Sequence, residues 1–281
     1  MDDYKINRRI MDSQIIEGQI TTKTLGKRIV YFEEVDSTNL VAKKIGKEPD
    51  SHGILVLSKS QTAGRGRLGR EWDSPKNEGI WMSLVLKPSI RISNASMLTL
   101  IAALAVNRGL RNVTNLNSLI KWPNDIIING KKVCGILTEM STSKDTLESI
   151  VVGIGINVSN ATFDNGIIDK ATSLQQEGYR DINKIQIINE ILRCMEHFYE
   201  IFIKTESLSE LCKEYNDSLI NIEKTVKIIE RGNEWQGTAI GINELGELLV
   251  KTDVIVDGVK KEIVREVVSG EVSVRGIYGY V

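Results

Sequence analysis

Residues 64–70, Gly-Arg-Gly-Arg-Leu-Gly-Arg, set cations between glycines around one leucine, and no acid offsets the charge between Lys59 and Arg70. Glycines let backbone N–H groups approach an anion closely, and arginine offers a fork of donors that matches a carboxylate or a phosphate. Gly64, Gly66 and Gly69 satisfy G-x-G-x-x-G, but arginines follow the first two and no helical pattern comes after. The run is therefore neither a dinucleotide fingerprint nor, lacking G-x-x-x-x-G-K-[ST], a Walker A loop. Two readings remain: a solvated surface loop with some affinity for RNA, or an anion cradle. Trp72 favours the cradle, since an aromatic beside a flexible cationic loop can close over a flat ligand.

Further along, Lys121–Asp125 reads Lys-Trp-Pro-Asn-Asp. The residue before proline is held extended, so Trp-Pro sets a rigid turn. Asn124 offers the donor–acceptor pair that reads an adenine edge, although a turn in which Asn124 and Asp125 cap backbone groups accounts for the same residues. Lys131 and Lys132 are adjacent, so on a strand they point to opposite faces, and the one on the inner face needs an anion. Asp36–Asn39, Asp-Ser-Thr-Asn, suits a helix cap, with Asp36 or Ser37 at the cap; the same hydroxyls and N–H groups could meet a polar ligand. His52 and His197 have no partners at metal or triad spacing and read as structural. No H-E-x-x-H, C-x-x-C or G-x-S-x-G occurs. Chemistry here would rest on positioning and electrostatics, not on a covalent nucleophile of the protein.

The elements that must position these groups follow from the apolar pattern. Strands are expected at 29–35, 53–60, 80–88 and 149–158. A hairpin at 125–141 turns on Asn129-Gly130, a pair that tolerates positive φ. Residues 94–113 are apolar nearly all round, as expected of a helix buried against a sheet. Residues 183–204 and 207–219 have amphipathic helical spacing. From residue 223 short strands alternate with Gly-, Asn- and Asp-bearing turns, which suggests a small all-β unit. Three units are expected: a linker over 1–25, a main domain over 26–222 and the β unit over 223–281.

Composition excludes several classes. The chain has 281 residues and a formal net charge of −1, so it lacks the broad basic excess of a general nucleic-acid binder. Its three cysteines form no pair pattern, which fits a reducing cytoplasm. No signal-peptide core opens the chain, and no apolar run is long enough to span a bilayer.

Taken together, "EVDSTN", "QTAGRGRLGREWDSP", "IKWPNDIIINGKKVCGIL", "GIGINV" and "SGEVSVR" resemble the biotin protein ligases, in the same order and spacing, from about Gly26 onward. The resemblance implies an α+β fold: a class II synthetase-like mixed or antiparallel sheet flanked by helices, with a C-terminal SH3-like β-barrel. It implies an ATP-dependent ligase with Mg²⁺ on the phosphates, which converts biotin to biotinyl-5′-adenylate and passes it to a lysine of a biotin carboxyl carrier domain. Ser37, Thr38, Asn39 and Gln61 would hold the biotin head; Gly64, Arg65 and Arg67 would close over the acyl chain and adenylate phosphate. Lys132 would bind the biotin carboxylate, and Gly135 would allow close approach. On the nucleotide side the resemblance puts Arg70, Trp72, Asn124, Asn157 and Arg275, with Asn124 on the adenine edge. Asp125 would steer or deprotonate the acceptor lysine. Members that act as repressors carry an N-terminal winged-helix domain, and no helix-turn-helix pattern precedes residue 26, so no DNA-reading role is expected. A homodimer through the sheet edge is allowed by the resemblance. The alternatives are a lipoate or octanoate ligase of the same fold, a biotin-sensing regulator, or an RNA-binding module.

Overall fold

Apolar runs rich in β-branched residues become the inner strands of a mixed sheet in the computed structural model, which describes residues 16–159, 163, 166–230, 233–256, 259–269 and 272–276. The strands are β1 (Arg28–Phe32), β2 (Ile54–Ser58), β3 (Gly79–Leu86), β4 (Leu119–Lys121), β5 (Asp125–Ile128), β6 (Lys131–Ser143) and β7 (Thr146–Asn157). They form one seven-stranded sheet in the order β1-β2-β3-β7-β6-β5-β4. Only β1 and β2 run parallel; every other neighbouring pair in this sheet is antiparallel. The β5–β6 turn is the expected one, with Asn129 at φ 49° and Gly130 at φ 79°.

Alternation along the strands assigns their two faces. Leu55, Leu57, Leu84, Leu86, Val152 and Ile154 enter the large core under α2 (Met97–Thr114) and α3 (Lys184–Thr205). Ile54, Val56, Val85 and Val151 point the other way, onto Ala42 of α1 (Thr38–Ile45). Each fully buried Leu or Ile contributes about 1.5–3 kcal/mol to that packing. The short helix α1 covers only part of its face, and what it leaves bare becomes the floor of the site.

Two expectations change. Residues 207–219 are helical only in α4 (Cys212–Asp217). The Ser207 hydroxyl accepts from the Ser209 N–H and Thr205 Oγ1 accepts from the Ser207 N–H, so local side-chain bonds replace the first helical turn. Of the segment read as a linker, residues 1–15 lie outside the described residues, but the remainder is tied down. Ile20 and Leu25 are buried. The Glu196 carboxylate on α3 accepts from the backbone N–H groups of Lys23 (2.8 Å), Thr24 (2.7 Å) and Leu25 (3.0 Å). Burial pushes the Glu196 pKa up, and the three donors outweigh it and hold it below the ordinary carboxylate value. The resulting stabilisation is present above the unfolded-state pKa and is lost as pH falls through the folded one. Glu196→Ala should therefore cost about 1–2 kcal/mol at neutral pH, a fall in Tm of roughly 2–8 °C, with the gap to wild type narrowing in acid on pH-resolved thermal melts.

The C-terminal unit is a five-stranded antiparallel sheet of β8 (Thr225–Glu230), β9 (Asn233–Ile242), β10 (Leu248–Val256), β11 (Val259–Val267) and β12 (Val272–Gly276), in the order β11-β10-β9-β8-β12. Val226, Ile228, Ala239 and Leu248 join the same apolar core as α2, so the small sheet docks against the main one. The contact is also hydrogen-bonded. Trp122 Nε1 donates to the Gly246 carbonyl at 3.0 Å, the Leu208 N–H to the Glu244 carbonyl at 2.8 Å, and the Ile242 N–H to Asn216 Oδ1 at 2.9 Å. Among the described residues no helix is long and apolar enough to cross a membrane.

Candidate functional site

Opposed residues of neighbouring strands share a face. The pairings Gly135↔Gly155 and Leu137↔Gly153 therefore put three glycines side by side, next to the Val151 that α1 covers. Their missing side chains are filled from above. The Trp72 indole lies on the first pair: a Cβ at Gly135 would stand 2.9 Å from Trp72 Cζ3, and one at Gly155 2.8 Å from Cε2. Asn39 of α1 comes so close to Gly153 that a Cβ there would overlap its Oδ1. The strand glycines are thus places of close approach.

Over this floor folds the arginine loop. Gly66 N–H donates to Arg70 O (2.7 Å) and Trp72 N–H to Gly64 O (2.9 Å), so the loop closes on itself as a narrow hairpin. Its tip, Leu68, is 59 % exposed and has φ 57°, a left-handed conformation that costs a non-glycine residue energy. Arg67 Nη1 reaches across to donate to Asn124 Oδ1 at 2.8 Å. Burial draws the Arg67 pKa below its ordinary value; Asp125 opposes the shift and Arg70 adds to it.

The Trp122–Pro123 bond is cis, and it delivers Asn124 and Asp125 to the start of β5. Asn124 Nδ2 donates to Ile136 O at 2.9 Å while its Oδ1 accepts from Arg67. The edge expected to meet adenine is turned to the protein, and Asn124 acts here as a pin for Arg67. Asp125 Oδ1 is 2.6 Å from Lys132 Nζ. That ammonium also sits 4.9 Å from the Trp72 ring centroid, within cation–π range. Lys132, the inner-face lysine, has therefore found its anion inside the protein.

At the head of α1 the cap differs from the expected one. Ser37 occupies the N-cap position, but its hydroxyl makes no capping bond. Gln61 Oε1 accepts from the Thr38 N–H (2.8 Å) and lies 3.1 Å from Thr38 Oγ1, while Gln61 Nε2 donates to Ser74 Oγ (2.8 Å). Asn39 Nδ2 donates to Leu137 O (3.3 Å) and Glu139 Oε2 (2.9 Å). Ser83 Oγ stands 2.6 Å from Asn39 Oδ1 and 2.8 Å from Thr38 Oγ1. Gln61 and Asn39 are thus engaged within the protein, and Ser37 presents the open hydroxyl.

Two cavities meet at the loop. The smaller, about 50 Å³, is lined by Ser37, Thr38, Gln61 and the glycine floor. The larger, about 690 Å³, is lined by Arg70, Glu71, Lys121, Asp125, Asn157 and Ile167 among others. Arg67, Trp72, Asn124 and Lys132 belong to both. Arg65 lines only the smaller cavity. Arg275 pairs with Lys227 through the β12 backbone, and its side chain lies outside the described residues.

Three contributors escaped the sequence reading. Ser83 and Glu139 are polar residues on strands, a signal that periodicity alone does not rank. The third is residues 170–172, whose backbone adds to β6: Lys132 N–H donates to Lys170 O (2.7 Å) and Thr172 N–H to Lys132 O (2.9 Å). Asn157 Nδ2 holds the same segment through Thr172 O at 3.1 Å, which makes Asn157 a support for the wall of the larger cavity.

Comparison with known proteins gives concordant results. The model of the Biotin/lipoate A/B protein ligase family matches residues 31–157. The bifunctional ligase/repressor of Bacillus subtilis (strain 168) is 36% identical over 255 residues, covering 90% of this chain and 77% of that protein. The biotin–[acetyl-CoA-carboxylase] ligase of Mycobacterium tuberculosis is 27% identical over 258 residues, covering 88% of this chain and 92% of that one. Among solved structures, the biotin protein ligase from Aquifex aeolicus in complex with biotin and ATP aligns with TM-score 0.73 and 30% identity, covering 89% of this chain and 99% of that one.

Proposed function

The chain belongs to the biotin protein ligase family, and from that membership we propose that its two adjoining cavities serve two successive steps of one reaction. The protein is a biotin ligase that uses ATP and biotin, and its protein substrate is the carrier domain of a biotin-dependent carboxylase. In the first step the biotin carboxylate attacks the α-phosphorus of ATP and pyrophosphate leaves. In the second, a lysine amine of the carrier attacks the acyl carbon and AMP leaves.

The Lys132–Asp125 pair, where the two cavities meet, carries the assignment of roles. Bringing a carboxylate to a phosphate sets two anions against each other, and cations must offset that repulsion. We assign Lys132 to the biotin carboxylate and Arg67, with Arg65 and Arg70, to the phosphates. When the substrate carboxylate takes over Lys132, Asp125 is released to orient the incoming lysine and accept its proton. Ser37, Thr38 and Gln61 then meet the polar head of biotin, and the larger cavity takes the nucleotide. The smaller cavity is far below the usual 300–1,000 Å³ of a ligand site, so biotin entry must lift the Trp72 indole from the glycine floor. Among the described residues no three His, Cys, Asp or Glu side chains converge on a metal-sized site. The magnesium implied by the resemblance is accordingly assigned to the nucleotide's own phosphates, with at most one or two carboxylates of the protein. Pairing of two copies through the sheet edge belongs to the same proposal.

Arg67→Ala tests the assignment. Biotin-dependent exchange of pyrophosphate into ATP should fall about 100-fold while the melting temperature stays near that of the wild type, because Arg67 is no part of the apolar core. Exchange at wild-type rate would remove Arg67 from the site.

A further inference from the structure

Glu139 is the acid that the arginine loop lacks in its own sequence. It stands on β6 past the end of the β5 pairing, opposite Val151, and its side chain is 20% exposed. One carboxylate oxygen accepts from Asn39 Nδ2 at 2.9 Å. The other is 3.1 Å from Lys43 Nζ on α1 and 3.9 Å from Arg65 Nη1 on the loop. A single carboxylate thereby joins the floor of the smaller cavity, the helix that caps it and the loop that covers it. Its preference for the charged form follows from the same neighbours: burial raises its pKa, and Asn39, Lys43 and Arg65 together bring it below the ordinary value.

We propose that Glu139 is a positioning residue that draws Arg65, and with it the arginine loop, down onto the sheet before any ligand arrives. It touches no reacting atom. Its action runs through Arg65 on one side and through the orientation of the Asn39 amide on the other. The second arm is fixed by geometry, since Ser83 already holds Asn39 Oδ1. The first arm is the adjustable one: Arg65 is 50% exposed and can leave when a ligand anion offers a better partner. This deepens the biotin-ligase reading, and only its kinetic arm depends on that reading.

Glu139→Gln removes the charge and keeps an acceptor for Asn39. Cleavage of the ligand-free protein by thermolysin at Leu68, the exposed loop tip, should become about three- to fivefold faster, the range expected for losing a half-exposed ion pair. The KM for biotin in pyrophosphate exchange should rise by a similar factor with kcat within about twofold of wild type. In an Arg65→Ala background the same substitution should change neither quantity, because the partner is already gone. Glu139→Asp, which keeps the charge, should cleave more slowly than Glu139→Gln, and Lys43→Met should leave the cleavage rate as it is. Wild-type cleavage in Glu139→Gln, or an equal acceleration with and without Arg65, overturns the proposal. Cleavage is read without substrate, so a wild-type protein inactive in exchange would overturn the reading of the site and leave the role of Glu139 to be decided by the protease.

Discussion

Lys132→Ala is expected to lower biotin-dependent pyrophosphate exchange by about 100- to 1000-fold, the usual cost of removing a charge-stabilising donor from a reaction centre. The loss has two parts. The substitution removes the cation assigned to the biotin carboxylate. It also leaves Asp125, whose side chain is only 14% exposed, with no ammonium at 2.6 Å, so a second anion faces the substrate's own. The two parts can be separated. Asp125→Asn in the Lys132→Ala background removes the anion that Lys132 no longer offsets and should recover part of the exchange rate, while transfer to the carrier domain stays low because the group assigned to the acceptor lysine is gone. Lys132→Arg should not restore exchange, since a planar fork cannot take the place of a compact ammonium packed on the Trp72 ring. A Lys132→Ala enzyme within tenfold of wild type would remove Lys132 from the carboxylate.

Gly153→Ala should do comparable harm by a steric route. The new methyl would overlap Asn39 Oδ1 and stand 2.8 Å from its Cγ. Asn39 cannot step aside, because Ser83 Oγ lies 2.6 Å from Oδ1 and Nδ2 is committed to Leu137 and Glu139. Forcing one carbon into such a site costs about 1–3 kcal/mol. The disturbance passes at once to Thr38, which shares the Ser83 hydroxyl with Asn39, and through the Thr38 N–H to Gln61 at the head of α1. Biotin affinity by calorimetry should drop at least about tenfold, and the melting temperature should fall by roughly 2–12 °C. Gly166→Ala is the control: a Cβ there meets nothing within 4 Å, and it should behave as wild type. Unchanged biotin affinity in Gly153→Ala would show that the floor glycines are not needed for the ligand.

Much of this was legible in the residues because the informative parts are local. Asn129-Gly130 states its own turn, and the apolar runs at 80–88 and 149–158 state two strands, found at Gly79–Leu86 and Thr146–Asn157. The arginines of the loop stand out by type, whereas Lys132 and Asp125 are singled out only by the family resemblance. What the chain does not state is who meets whom. Asn124 is paired with Arg67 from 57 positions away, a contact that no local pattern announces. Glu196 lies 171–173 positions from the N–H groups it holds, so residues 20–25 had the look of a linker. Residues 207–211 fail as a helix for the opposite reason. The competing bonds are very short in range, and amphipathic spacing does not register a serine hydroxyl two positions away.

Trp122 gives the Lys-Trp-Pro-Asn-Asp turn one more consequence. Its indole is bolted to Gly246 in the turn between β9 and β10, while the next residues hold Arg67 and Lys132. The pentapeptide is thus a shared benchmark from which the loop, the reaction centre and the small sheet all take their level. A chain shortened before residue 246 would not merely lose an appendage; its arginines and its lysine would no longer be surveyed from the same point.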